Sequence, residues 1–241
     1  GAYERRIDNS PAYIRAACEA SLKRLGVERI GLYYCHRRDP QVPLEDMVGT
    51  LADLVREGKV AAIGLSEVSA ASLRTAHAVH PIAAVQSEYS LWERGAEAEV
   101  LPTTRELGVA FVAYSPLGRS FLTNQPPAAD TLEPGDFRLA LPRFQGEAAA
   151  ANLALQQGLA AIATELGQPA AAVALAWLLH RQPHVLPIPG TRRLHHLQQN
   201  LAASALVLPA PVVQALDTLF APGRAQGERY PDAGWAGVAA R

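Results

Sequence analysis

This 241-residue sequence has no block of basic residues, no long apolar run, only two cysteines and no glycine-rich dinucleotide fingerprint. The formal net charge is −1, so there is no strongly positive face for a nucleic-acid backbone, and electrostatics points to no macromolecular partner. No apolar stretch approaches the roughly 18 residues that a bilayer span needs. The opening residues GAYERRIDNS contain no signal-peptide core. The reading is a soluble protein with a cytoplasmic address and no membrane partner. Cys18, on an apolar helical face with Ile14, Leu22 and Leu25, and Cys35, inside a strand, read as small buried hydrophobes on separate elements. The missing G-x-G-x-x-G turn removes the main support for a doubly wound sheet.

What is present is a core-forming composition, 49% apolar, arranged in one rhythm of short apolar strands and amphipathic helices. Helices are expected at 11–25, 44–57, 70–79, 100–107, 148–166, from Pro169 through AAAVALAWLLHR, at 192–203 and at 211–220. Strands are expected at 30–36, 60–67, 83–91, 109–115 and in HVLPIPG. A long segment rich in Pro, Gly and Ala, from Pro116 to about Gly146, separates the fourth strand from the next helix. Its length marks a binding loop or lid.

Alternating strands and helices make a parallel sheet, and strands that all end in polar residues make one functional edge. Those ends read His36-Arg37, Ser66-Glu67, Gln86-Ser87-Glu88, Tyr114-Ser115 and Pro189-Gly190-Thr191. The fold class is therefore α/β, a TIM (β/α)8 barrel with its site at the C-terminal rim of the strands. The sequence supplies about five of the eight βα units, within a single domain over 1–241. Five strands leave unpaired apolar edges, so three further strands are expected to precede Gly1. In IGLYYCHRRDP the apolar run leaves the core at His36, and Arg37, Arg38 and Asp39 read as a solvated turn with local ion pairs.

After the last strand, Gly190 and Thr191 open a helix whose first turn is expected to hold Arg192 and Arg193, followed by His195 and His196. A helix N-terminus already carries about half a positive charge, so two arginines there call for an anion between them. Backbone N–H groups, a Thr hydroxyl and guanidinium groups make a phosphate site where barrels commonly place one. The alternative is two solvated arginines that point away.

Five stretches, SLKRLGVERIGLYYCHRRDP, LVREGKVAAIGLSE, AVQSEYSLWER, VAYSPLGR and LPIPGTRRLHHLQQN, resemble successive signatures of the aldo-keto reductases, in the family's order and spacing. The resemblance covers nearly all of the chain. It implies a barrel enzyme that uses NADPH to reduce a small aldehyde or ketone. His36 is similar to the active-site histidine that orients the substrate carbonyl, with a satisfied core histidine as the alternative. Ser66 and Gln86 resemble the residues that hydrogen-bond the nicotinamide carboxamide. Tyr114 resembles the aromatic that stacks on the ring, or else ordinary barrel packing. Ser115, Leu117 and Arg119 resemble the loop that holds the pyrophosphate. Gly190, Thr191, Arg192, Gln199 and Asn200 match the region that grips the adenosine end and its 2′-phosphate. Trp92 stands where it would line a substrate pocket or serve as a surface anchor.

The sequence also departs from the family pattern. Glu67 stands at a position where asparagine is common, and it receives no role. Ser120 and Asn124 occupy positions that often hold glycine, and Gln199 replaces a usual glutamate. The family's catalytic tyrosine, its lysine and its aspartate belong to the first three strands, and neither Tyr3 nor Tyr13 lies in an element that would substitute. Two functions follow: a carbonyl reductase, or a nicotinamide-binding subunit or sensor without turnover.

Overall fold

The computed structural model describes residues 6–181 and 183–239, so Gly1 and Tyr3 lie outside the described residues. Helix α1, Pro11–Leu25, starts where the Ser10 hydroxyl accepts from the Tyr13 N–H at 3.3 Å, and Pro11 occupies the first turn, where no amide partner is needed. It stops at Gly26, whose φ of 66° is left-handed. Strand β1 is Ile30–Cys35, and helix α2, Leu44–Arg56, carries Glu45 and Asp46 in its first turn and Arg56 in its last, in keeping with the helix dipole. Strand β2 is Val60–Ser66, and the Ser69 hydroxyl caps α3, Ala70–Val79. Then come β3, Ala84–Glu88, α4, Val100–Glu106, and β4, Ala110–Tyr114. Helices α5, Gly146–Glu165, and α6, Ala170–Arg181, precede β5, Val185–Pro187. The last helices are α7, Leu194–Ala202, and α8, Ala210–Leu219.

The five strands form one parallel sheet in the order β1-β2-β3-β4-β5, and the sheet is open. The register sets Tyr34 beside Gly64, Cys35 beside Leu65, and Ser66 beside Gln86. Gly64 is required by its neighbour: a Cβ there would stand 2.5 Å from the Tyr34 ring. The described residues divide into two compact units, one within Gly1–Ser87, Glu97–Phe111 and Ala236–Arg241, the other within Glu88–Ala96 and Val112–Trp235. In the first unit Met47, Val48, Leu51 and Leu54 of α2 are buried, as are Ile63 and Leu65 of β2 and Cys18 of α1. In the second, every residue of α6 from Ala170 to Leu178 is buried, which makes α6 an interior helix. No single helix among the described residues is long and apolar enough to cross a membrane.

Several elements are shorter than the sequence pattern implies, for identifiable reasons. Glu67 and Ser115 adopt left-handed φ values of 54° and 48°, which end the extended runs of β2 and β4. The second half of AVQSEYSL turns instead of extending, with Ser90 and Glu93 bridged in antiparallel fashion. Arg192 and Arg193 do not sit in the first turn of α7. Arg193 is the extended residue before it, and its N–H donates to the Thr191 hydroxyl at 3.2 Å. That placement puts Arg193 at the N-cap and Arg192 before it, so both cations stand at the helix's positive end but outside its first turn. The turn after β1 is not a solvated one: Arg37 is buried, and Asn9 clamps the segment by donating to the Arg37 carbonyl at 3.1 Å and accepting from the Asp39 N–H at 2.6 Å. The long loop holds three short 3-10 turns, Ala129–Thr131, Phe137–Ala140 and Pro142–Phe144.

Candidate cofactor and active site

In the first unit the nominated residues are His36, Ser66 and Gln86. His36 follows β1 directly and is exposed, so it is not a core histidine. Ser66, the last residue of β2, is 4% exposed and lies level with half-buried Gln86 on β3. The Ser66 hydroxyl accepts from Arg37 Nη1 at 2.9 Å, and the same nitrogen donates to the His36 carbonyl at 2.6 Å. Burial pushes the Tyr34 hydroxyl above its ordinary range, opposed by its hydrogen bond to Gln86. The backbone of Glu67 is tied on both sides, its N–H donating to the Gln86 carbonyl and its carbonyl accepting from the Ala239 N–H. A serine hydroxyl and a side-chain amide, level with each other at adjacent strand ends, offer the donors and acceptors that a planar carboxamide needs.

In the second unit the turn after β4 is wound tightly. Ser115, Gly118, Arg119 and Ser120 all have positive φ. Gly118 must be glycine on two counts, its φ of 55° and the Trp92 indole, which a Cβ would meet at 2.6 Å. Trp92 itself is 4% exposed, stacks on Phe121 with centroids 4.4 Å apart and meets Phe144 edge-on, so it is no surface anchor. Arg119 spreads both terminal nitrogens over the Glu88 carboxylate, and its guanidinium lies over the Tyr230 ring. The Tyr230 and Tyr114 hydroxyls are hydrogen-bonded at 2.7 Å. Burial pushes the Glu88 carboxyl upward against the pull of Arg119 and Arg229.

A cleft of about 830 Å3 lies in the same unit. Leu117, Gly190, Thr191, Gln199 and Asn200, residues that the family resemblance assigns to a cofactor, line it. Arg193, not Arg192, completes that lining, together with His195 and His196; Arg192 is exposed outside it. The two imidazole centroids are 4.0 Å apart, and partial desolvation, His195 and Arg193 hold His196 below its ordinary range. Among the described residues that line it, none is acidic. Among the described residues no cluster of His, Cys, Asp and Glu is arranged to hold a metal ion.

The sequence reading gave no role to Glu88 or Tyr230; it set Arg193 beside Arg192 at the expected anion and named the histidine pair without a role. Glu88 carried a usable signal, because alternation along β3 puts it on the face of Gln86, and a carboxylate inside an apolar strand needs a cation. Tyr230 carried none, since it belongs to a tail without periodicity. Asn124, which replaces a usual glycine, closes a helix end instead. Its side-chain oxygen accepts the Ala170 N–H at 3.0 Å and so satisfies the open N-terminus of α6.

Comparison with known proteins completes the picture. The model of the Aldo/keto reductase family matches residues 1–221. A thermostable aldo-keto reductase solved with the inhibitor epalrestat is 29% identical, with a TM-score of 0.69, over 86% of this chain and 65% of that one. A glycerol dehydrogenase from Gluconobacter oxydans is 28% identical, with a TM-score of 0.82, over 93% of this chain and 68% of that one. The chain thus spans about two thirds of the length of these structures. These relatives are (β/α)8 barrels, and the parallel sheet with alternating helices described above is of their kind. On the match over residues 1–221, the chain belongs to the aldo/keto reductase family.

Proposed function

We propose that the chain binds NADPH and serves the reduction of a small aldehyde or ketone to its alcohol. The observation that carries this reading is the acid-free cleft of the second unit. It gathers one guanidinium, two imidazoles, three threonines and five side-chain amides around a space of about 830 Å3. Such a donor-rich set without a carboxylate suits a phosphate and a purine. The oxidoreductase names of the two structural relatives agree with it. In this reading Thr191 and Arg193 receive the 2′-phosphate, with Arg192 as an outer charge, and Gln199 and Asn200 receive the adenosine. In the second unit Leu117 and the wound turn at Ser115 and Arg119 suit the pyrophosphate and Tyr114 offers a ring face; in the first unit Ser66 and Gln86 offer the hydrogen-bond partners of a carboxamide. When bound, the cofactor supplies the hydride. His36, exposed at the end of β1, orients the carbonyl, Trp92 backs the turn, and proton transfer is assigned to none of these residues.

The test is a titration of the full chain with NADPH and NADH, read by quenching of tryptophan fluorescence. A charge-assisted contact to phosphate is worth about 1.5–3 kcal/mol, so Arg193→Ala weakens NADPH by roughly tenfold or more and leaves NADH nearly unchanged. Arg192→Ala has the smaller effect. Equal affinity of the unmutated chain for both cofactors overturns the reading.

A further inference from the structure

We infer that Arg37 is a positioning residue that sets Ser66 as a hydrogen-bond donor, and thereby selects which end of the nicotinamide carboxamide meets it. This rests on the cofactor reading above, and it starts from a contact that reading does not use. A guanidinium carries only N–H donors and keeps its charge at every accessible pH. Where Arg37 Nη1 meets the Ser66 oxygen at 2.9 Å, the hydroxyl must therefore accept. Its single proton then points elsewhere. Among the described residues no acceptor for that proton is found, although Ser66 is 4% exposed. A buried hydroxyl with a committed lone pair and an uncommitted proton is a donor to whatever binds beside it.

The rest of the segment holds Arg37 in place. The register that pairs Cys35 with Leu65 carries the chain on so that residues 36 and 37 leave β1 beside the end of β2. The Arg37 carbonyl accepts from Asn9 at 3.1 Å and from the Cys35 thiol at 3.4 Å. A Cβ at Gly237 would stand 3.0 Å from the Arg37 Cβ, so the backbone packs closely there. Arg37 Nε is buried and without a partner among the described residues, a second donor that favours an acceptor nearby. A carboxamide has one acceptor oxygen and one donor nitrogen. Ser66 in this state takes the oxygen and leaves the nitrogen for Gln86, whose side-chain oxygen can accept it. Without Arg37 the hydroxyl is free to rotate, accept from the amide nitrogen, and admit the flipped group.

The experiment compares two ligands on the full chain by calorimetry: NADP and 2′-phospho-ADP-ribose, which lacks the nicotinamide. Arg37→Met is expected to weaken NADP about tenfold and to leave 2′-phospho-ADP-ribose unchanged. Ser66→Ala should give the same split, and the double variant should lose no more than Ser66→Ala alone. A thionicotinamide analogue, whose sulfur is a poor acceptor, should bind the unmutated chain more weakly than NADP, and Ser66→Ala should erase that difference, while an acetylpyridine analogue, which keeps the carbonyl but lacks the N–H that Gln86 accepts, should still be weakened by Ser66→Ala. Equal weakening of both ligands by Arg37→Met, or additive losses in the double variant, overturns the inference and leaves Arg37 a packing residue. Should Arg37→Met fail to fold, the two analogues decide alone: a thio analogue that binds as well as NADP overturns it. Failure of the unmutated chain to bind either ligand overturns the cofactor reading itself.

Discussion

Both oxygens of the Glu88 carboxylate accept from Arg119, each at 2.9 Å, at a place where the Glu88 side chain is fully enclosed and that of Arg119 is 13% exposed. Around this pair Arg229 lies 3.9 Å from both Glu88 and Glu93, and Arg143 meets Glu93 at 2.7 Å. Removing the acid leaves enclosed Arg119 without its carboxylate and Arg229 with Glu93 alone. Glu88→Gln is therefore expected to lower the unfolding free energy by about 3–5 kcal/mol, measured by urea unfolding. Replacing Glu88 and Arg119 together with Leu and Met should recover much of that loss. A single-variant loss below about 1 kcal/mol would place the pair among solvated surface bridges.

Ser120 is exposed and held at a φ of 78°, a conformation that suits glycine. A non-glycine residue there carries on the order of 1–3 kcal/mol of backbone strain. Glycine relieves that strain but frees the unfolded chain by about 0.5–1 kcal/mol. Ser120→Gly should thus raise the melting temperature modestly, by a few degrees. A lower melting temperature would mean that the serine makes up for its strain through a contact of its own.

Asp136 is held at about 2, below its ordinary 3.8, by the Arg138 side chain and then by the Arg138 N–H. Folding therefore favours the ionised carboxylate. Its contribution is complete above pH 3.8 and is lost as pH falls through about 2. Asp136→Asn should flatten the fall in melting temperature over that interval, and should do nothing to the slope near neutrality. A parallel fall in both proteins would refute the assignment.

Burial pushes the Cys35 thiol up to about 11 and raises Cys18 as well. The thiolate is the reactive form, so neither should react with iodoacetamide in mildly alkaline buffer. Mass spectrometry should find an unmodified native chain and two adducts in urea. Rapid native labelling of Cys35 would show that its strand end opens.

The rhythm of strands and helices was legible because each helix announces itself locally: Ser10 and Ser69 at caps, Gly26 at a stop, the apolar stripe of α2. The cleft was legible in part. Gly190 and Thr191 were marked by the polar end of the last strand, and Gln199 and Asn200 only by the family resemblance. Which of two adjacent arginines enters the cleft was not, because Thr191 accepts the Arg193 N–H and delays the helix, a decision made by one side chain. Arg37 was misread for a related reason. A charged residue in a turn is ordinarily solvated, and it takes Asn9 and Ser66, both far away in the sequence, to reverse that. The ion cluster around Glu88 depends on the tail, which shows no periodicity to read.

That tail bears on the order in which the chain is made. Asn152 donates to the Gln226 carbonyl and accepts its N–H, Arg143 donates to the Gly227 carbonyl, and Arg229 lies against Tyr230 and Trp235. Synthesis runs from the N-terminus, so Glu88 and Glu93 leave the ribosome long before Arg229 is translated. Until residues 226–229 have been made, the enclosed acids have Arg119 and Arg143 but not their third cation, and the Asn152 amide lacks its backbone partner at Gln226. The second unit therefore reaches its final polar interior only once residues 226–235 have been made, and a nascent chain halted before residue 226 would present chaperones with an interior that lacks Arg229 and the backbone partner of Asn152.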